Sequence, residues 1–119
     1  MRFQDLLAYK KSFVLGMEIY QITLKFPAEE KYSLTDQIRR SSRSVSVNIA
    51  EATRKRRYIK HFISKLTDSD AENAETQSWL EYSLACKYIN EEQFKNLTFL
   101  SLEVGKLINY MINNPDKFT

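Results

Sequence analysis

The sequence predicts an all-α protein folded as a single antiparallel, up-down-up-down four-helix bundle, and three observations carry that prediction. Only two Gly and two Pro occur in 119 residues, so turns must be few and helices long. Apolar residues recur at helical spacing in four long stretches. The stretches are joined by short segments, which places consecutive helices side by side in antiparallel order. A chain of this length is expected to form one domain over residues 1–119, burying roughly two-thirds of the surface its unfolded form exposes.

The first helix is expected from about Asp5 to Phe26, with Leu6, Phe13, Met17, Tyr20 and Leu24 on its core side and Pro27 closing its far end. Gly16 weakens its interior by ~1 kcal/mol relative to Ala, and its bare backbone leaves room for a neighbouring helix. After a loop over residues 27–33, Ser33 or Thr35 is expected to supply the capping hydroxyl of the second helix, which runs to about Arg54. At about 100° per residue, Leu34, Ile38, Ser42, Val45, Ile49 and Ala52 share one band of that helix. Arg39, Arg40, Arg43 and Arg54 lie opposite.

The third helix is expected from about Tyr58 to Tyr88, with Ile59, Phe62, Ile63, Leu66, Leu80, Leu84 and Tyr88 on its apolar side. Asp70, Asn73 and Gln77 interrupt that side, so the middle of the buried face is polar and must be hydrogen-bonded or hydrated. The plainer expectation is a network that fixes helix register, and the alternative is a polar pocket. Asn90 caps the fourth helix, from about Glu91 to Asn113, with Phe94, Leu97, Ser101, Val104, Ile108 and Met111 as its seam and Pro115 beyond its end.

Charge is distributed unevenly. Between Asp36 and Lys65 there are six arginines and three lysines against two acidic residues, a net of +7. From Leu66 to Glu92 seven acidic residues face one lysine, a net of −6. Adjacent basic and acidic blocks suit an anionic partner or neighbouring copies of the same chain. The single Cys86 excludes an internal disulfide and a thiolate metal cluster and suits a reducing, cytoplasmic compartment. The first residues, MRFQDLLAYKK, lack a signal-peptide pattern, and no run approaches the ~18 apolar residues of a membrane span. A soluble protein with no membrane association is expected.

The basic residues are the leading functional candidates. Arg39, Arg40, Arg43, Arg54, Lys55, Arg56 and Arg57 are assigned to nucleic-acid binding, because guanidinium forks match phosphate geometry. Tyr58 adjoins the run and could stack on a base. No recognition-helix, RNP or zinc-finger pattern is present, so binding is expected to be driven by phosphate and shape, with steep salt dependence. A solvated surface, or pairing with an acidic neighbour, is the plainer reading of the same charges. Asp68, Glu72 and Glu75 share one helical face with Trp79 a turn further on, and these four are assigned to an interface in a homo-oligomer. The three carboxylates lack the converging geometry a magnesium site needs, so no metal and no cofactor are expected. Cys86 follows apolar residues without a nearby His and reads as a buried structural thiol. One histidine cannot supply a di-iron site, and glycine loops for nucleotides are absent. No enzyme is expected.

The segment around the second helix also carries a resemblance. Phe26-Pro27, Glu30, Tyr32, SLTDQIRR from Ser33 to Arg40, Ser44-Val45 and NIAE from Asn48 to Glu51 resemble the signature of a bacterial family. Its members are the four-helix-bundle proteins encoded in intervening sequences of 23S ribosomal RNA, also called S23 proteins. The opening FQDLLAYKKS and ETQ at Glu75–Gln77 agree, so the resemblance spans nearly the whole chain. The family usually has Gly at the positions of Ser33 and Ala52, and Ala52 lets the second helix run further here. The resemblance implies an antiparallel four-helix protomer, often a ring-shaped homopentamer, without established enzymatic activity. A related branch, the accessory protein of diversity-generating retroelements, is similar in fold and engages nucleic acid and a reverse transcriptase through a basic surface. RNA, DNA and a reverse transcriptase are thus the partners the resemblance implies. RRYIKH at Arg56–His61 is similar to the Arg-and-His motif of HEPN-type metal-independent ribonucleases. There His61 would be the general acid or base and Arg56 the phosphate holder.

Overall fold

The computed structural model describes all residues, 1–119, and contains four helices and no strand. They are α1 (Leu7–Thr23), α2 (Leu34–Arg54), α3 (Ile59–Ala85) and α4 (Glu91–Asn113). Short 3-10 turns at Phe3–Asp5, Ala28–Glu30 and Pro115–Lys117 lie outside them. Each helix packs against its sequence neighbours and α1 against α4, with no diagonal contact, which is the up-down-up-down order. The rod measures 44 × 25 × 20 Å.

The core is two apolar clusters separated by a polar waist. Leu6, Val45, Ile49, Phe62, Leu66, Val104 and Ile108 belong to one cluster, at the end where α1 and α3 begin. Leu15, Ile19, Ile38, Leu80 and Leu97 belong to the other. Between them lie buried Ser12, Ser41, Ser42, Ser69, Asn73, Thr76 and Ser101. Helix α3 ties the waist together. Ser69 donates to the Val45 carbonyl at 2.7 Å, and the Ser41 and Thr76 hydroxyls meet at 2.9 Å. Asn73 donates to the Ser101 carbonyl at 2.9 Å and accepts from the Ser101 hydroxyl at 2.8 Å, while Gln77 donates to the same hydroxyl at 2.8 Å. Asn73 and Gln77 therefore belong to a register-fixing network, as the plainer reading expected, whereas Asp70 is half-buried and makes no side-chain hydrogen bond in it. Gly105 gives that network room, since a Cβ there would stand 3.3 Å from the Asn73 amide nitrogen, closer than an ordinary van der Waals contact.

Three expectations are corrected. The core side of α1 is Ala8, Ser12, Leu15, Ile19 and Thr23, while Phe13, Met17 and Leu24 of the expected stripe are exposed. The helix is apolar on two faces, and its true core face is built of small and hydroxyl residues that give a weak hydrophobic signal. Neither Ser33 nor Thr35 caps α2. Glu30 does so by accepting from the Leu34 N–H at 3.2 Å, and Thr35 is buried with its hydroxyl unpaired. The other Glu30 oxygen accepts from Tyr88 at 2.8 Å. That hydrogen bond, aided by burial, pushes the Tyr88 phenol up to about 12. Cys86 is exposed rather than buried, because α3 ends one residue before it. The end is closed by Lys87 at φ 64°, with Tyr88 N–H donating to the Ser83 carbonyl at 2.9 Å.

Candidate nucleic-acid interface

The seven basic candidates do not form one patch. All six arginines among them lie on or just beyond α2, and none has a carboxylate within 4.0 Å, since the chain's only two ion pairs are Lys11–Glu103 and Lys65–Glu51. They nonetheless fall into three environments.

Arg39 faces α1. Its Nε donates to the Thr23 hydroxyl at 2.8 Å and its guanidinium lies 4.9 Å from the Tyr20 ring centroid. Such a half-buried group, held by a hydrogen bond and a ring face, is a brace between helices. Arg43 is exposed and approaches the same ring from 6.0 Å, while Arg40 is exposed on the side of α2 toward Glu72. These two keep free guanidinium donors on the outer face of α2. Val47 is exposed beside them, and Glu51 is occupied by Lys65 at 3.2 Å.

Arg54, Arg56 and Arg57 stand at the end of the bundle, where α2 gives way to α3. The N-terminal segment folds back over this turn, and Arg56 donates to the Met1 carbonyl at 3.1 Å across 55 residues of sequence. Together with Arg2 they surround a cavity of about 460 Å³ that no Asp or Glu lines. Lys55 is exposed at the same turn but does not line it. Arg2 and Gln4 are the residues that sequence reasoning missed. Nothing in the local pattern signals them, because the chain fold alone brings them to the turn.

His61 is exposed on the first turn of α3, with its ring 5.5 Å from that of Tyr58, and it does not line the cavity that holds Arg56. The two residues of the ribonuclease-like motif are thus not brought to one pocket. The acidic residues keep to one face of α3, as expected from their spacing. Asp68 and Glu75 are exposed and Glu72 is half-buried. Burial, with Glu75 and then Asp68 beside it, raises the Glu72 carboxyl above its ordinary value, and Arg40 offsets part of that rise. No three carboxylates converge on a metal position. Trp79 is half-buried against its own core, and its indole N–H donates to Glu75 at 3.1 Å.

A family model, that of the 23S rRNA-intervening sequence protein, matches residues 4–110. The chain belongs to the 23S rRNA-intervening sequence protein family. Among solved structures it is similar to a protein of unknown function from the S23 ribosomal protein family of Bacteroides thetaiotaomicron. The two are 28% identical with a TM-score of 0.81, over 95% of this chain and 99% of that one. No curated protein matches it. The geometry shared with that structure is thus the whole bundle, and the NIAE segment of this chain lies within α2, whose helix continues past a fully buried Ala52. No helix is long and apolar enough to cross a membrane.

Proposed function

We propose that this member of the family is a non-enzymatic binding protein that holds RNA or DNA by its phosphates and works as a homo-oligomer in the cytoplasm. The observation that carries the nucleic-acid reading is the set of arginines on and beyond α2 without a single carboxylate partner. Five of these six share one side and one end of a short rod, a clustered positive surface of the kind that attracts an anionic partner. Arg40 and Arg43 supply the α2 face, and Arg54, Arg56 and Arg57 supply the end, with Lys55 adding charge. Arg39 belongs to the bundle rather than to the ligand.

Assembly finds its best support on the outer faces of α1 and α4. Leu7, Phe13, Val14 and Met17 on α1 and Phe99 and Leu102 on α4 are large, apolar and about half exposed or more, with Phe99 at 65%. Of these, Leu7, Phe99 and Leu102 line one groove together with Leu107, and an exposed apolar patch of this kind marks an interaction site. The acidic face with Trp79 remains the second candidate for the same role, opposite charges meeting between copies. The exposed, unpaired Cys86 supports a reducing compartment.

Titration of labelled structured RNA and duplex DNA at two salt concentrations, with light-scattering mass in parallel, tests both parts. Affinity that falls linearly with log salt and drops in Arg40→Ala/Arg43→Ala supports the binding reading. No affinity at any salt, with an oligomeric mass, leaves a protein-interaction module. Turnover of RNA that is lost in His61→Ala would establish a nuclease instead.

A further inference from the structure

We propose that the cavity at the arginine end receives the terminal phosphomonoester of a nucleic-acid strand, whose chain then leads off along α2 over Arg43 and Arg40. This rests on the nucleic-acid reading above and adds a specific ligand group to it.

The cavity's charge exceeds what the fold requires. Arg2, Arg54, Arg56 and Arg57 surround about 460 Å³ together with Gln4 and Thr53, and no acidic side chain lines it. That volume falls within the roughly 300–1,000 Å³ typical of ligand pockets. The C-terminus of α2 carries the equivalent of about half a negative charge, which one cation in its last turn compensates. Arg54 occupies that turn. Of the remaining three guanidiniums only that of Arg56 has a hydrogen bond within the protein, to the Met1 carbonyl, and none has an ion pair, so their like charges around one hollow repel one another. An anion in the hollow removes that repulsion.

The donors also have the right form. Arg56 is held at 3.1 Å by a backbone carbonyl through one N–H, leaving the rest of its fork free and oriented. Several forks around one hollow match a group with three free oxygens and close to two negative charges better than a backbone diester with two oxygens and one charge. The terminal monoester is that group.

The route outward sets a strand end apart from a free anion. Arg54 and Arg43 are 11 positions apart on α2 and on the same side of it. That spacing is about 16 Å, or roughly five nucleotide steps of a duplex strand. On α2 between Arg54 and Arg43 the one carboxylate is Glu51, which pairs with Lys65 at 3.2 Å, and Glu72 of α3 lies near the far end of the route, toward Arg40.

The test compares one short RNA in three forms, 5′-phosphorylated, 3′-phosphorylated and unphosphorylated, with inorganic phosphate as the free-anion probe. A phosphate at one end is expected to tighten binding by about tenfold or more. Arg56→Gln/Arg57→Gln is expected to erase that difference, and Arg40→Gln/Arg43→Gln to weaken every form alike while preserving it. Arg57→Gln alone, at an exposed residue, keeps the test valid if the double variant fails to fold by circular dichroism. Equal affinity of the three forms overturns the inference and leaves the broader nucleic-acid reading standing. Binding of none of them overturns both. Inorganic phosphate binding as tightly as the phosphorylated RNA assigns the cavity to a small anion and also overturns the inference.

Discussion

Substituting the two glycines with alanine should change stability in opposite directions. In a helix interior Gly→Ala contributes about 1 kcal/mol through propensity alone. At Gly16 of α1 the new methyl would have only the Ser42 carbonyl oxygen near it, at 3.8 Å, an ordinary contact. The full propensity gain should appear, raising the melting temperature by about 4 °C for a domain of this size. At Gly105 of α4 the methyl would stand 3.3 Å from the Asn73 amide nitrogen. That amide cannot retreat freely, because Asn73 is 2% exposed and holds Ser101 by two hydrogen bonds of 2.9 and 2.8 Å. Loosening that pair leaves buried polar groups poorly satisfied at a cost of about 1–3 kcal/mol. Gly105→Ala should therefore be neutral to destabilising by about 2 kcal/mol despite the same propensity gain. Paired thermal and urea denaturation of the two variants reads the contrast directly. Equal stabilisation by both would refute the claim that the waist network is rigid.

Three further substitutions probe particular sites. Lys87→Gly should stabilise by about 1 kcal/mol, because Lys87 closes α3 in the left-handed region at φ 64° and only Gly adopts that conformation without a Cβ penalty; urea denaturation measures it. Thr35→Val should stabilise by about 1 kcal/mol in the same assay, since it keeps the shape of the side chain and removes a buried hydroxyl that has no partner. For Glu72 the folded carboxyl lies above its ordinary value of 4.5, so its favourable contribution exists at lower pH and is lost as pH rises through the raised value. Glu72→Gln should thus melt above the wild type at pH 7, and the gap should close as the pH falls below 4.5; melting curves across that range check the sign.

The parts of this fold that were legible in sequence are those where one helix face is apolar and the other charged. In α2 the band of Leu34, Ile38, Val45, Ile49 and Ala52 is buried as its spacing requires, and the opposite side carries the arginines. In α4 the Asn90 cap is joined by Gln93 in a reciprocal capping box, and Leu97, Ser101, Val104, Ile108 and Met111 are buried in register. Helix α1 misled because hydrophobicity is a one-way signal. Phe13, Met17 and Leu24 are greasier than Ala8, Ser12 and Thr23, yet it is the smaller set that lets α1 approach its neighbours. The cap of α2 was missed because a carboxylate four residues upstream took the role a hydroxyl usually fills. For the site, the arginine types were legible and their grouping was not. Arg39 differs from Arg40 only in which neighbour its helix face meets, and Arg2 joins Arg56 only through a long-range fold contact.

The separation of these surfaces bears on whether assembly and ligand binding compete. If copies joined through the arginines and the acidic face of α3, each contact would remove guanidinium groups from the ligand, and high salt would dissolve the assembly. The apolar residues of α1 and α4 lie on helices other than the one that carries Arg40, Arg43 and Arg54. Burial of that surface is driven by apolar area and is little weakened by salt. An assembly built there would leave Arg40, Arg43 and Arg54 of each copy outside the apolar contact, so a strand would meet several basic faces at high effective concentration. Weak single-site binding would then become strong binding by the proposed assembly as a whole. The salt response of the oligomer, measured apart from that of the ligand, distinguishes these arrangements, because in the apolar one the mass persists at the salt concentration that releases the nucleic acid.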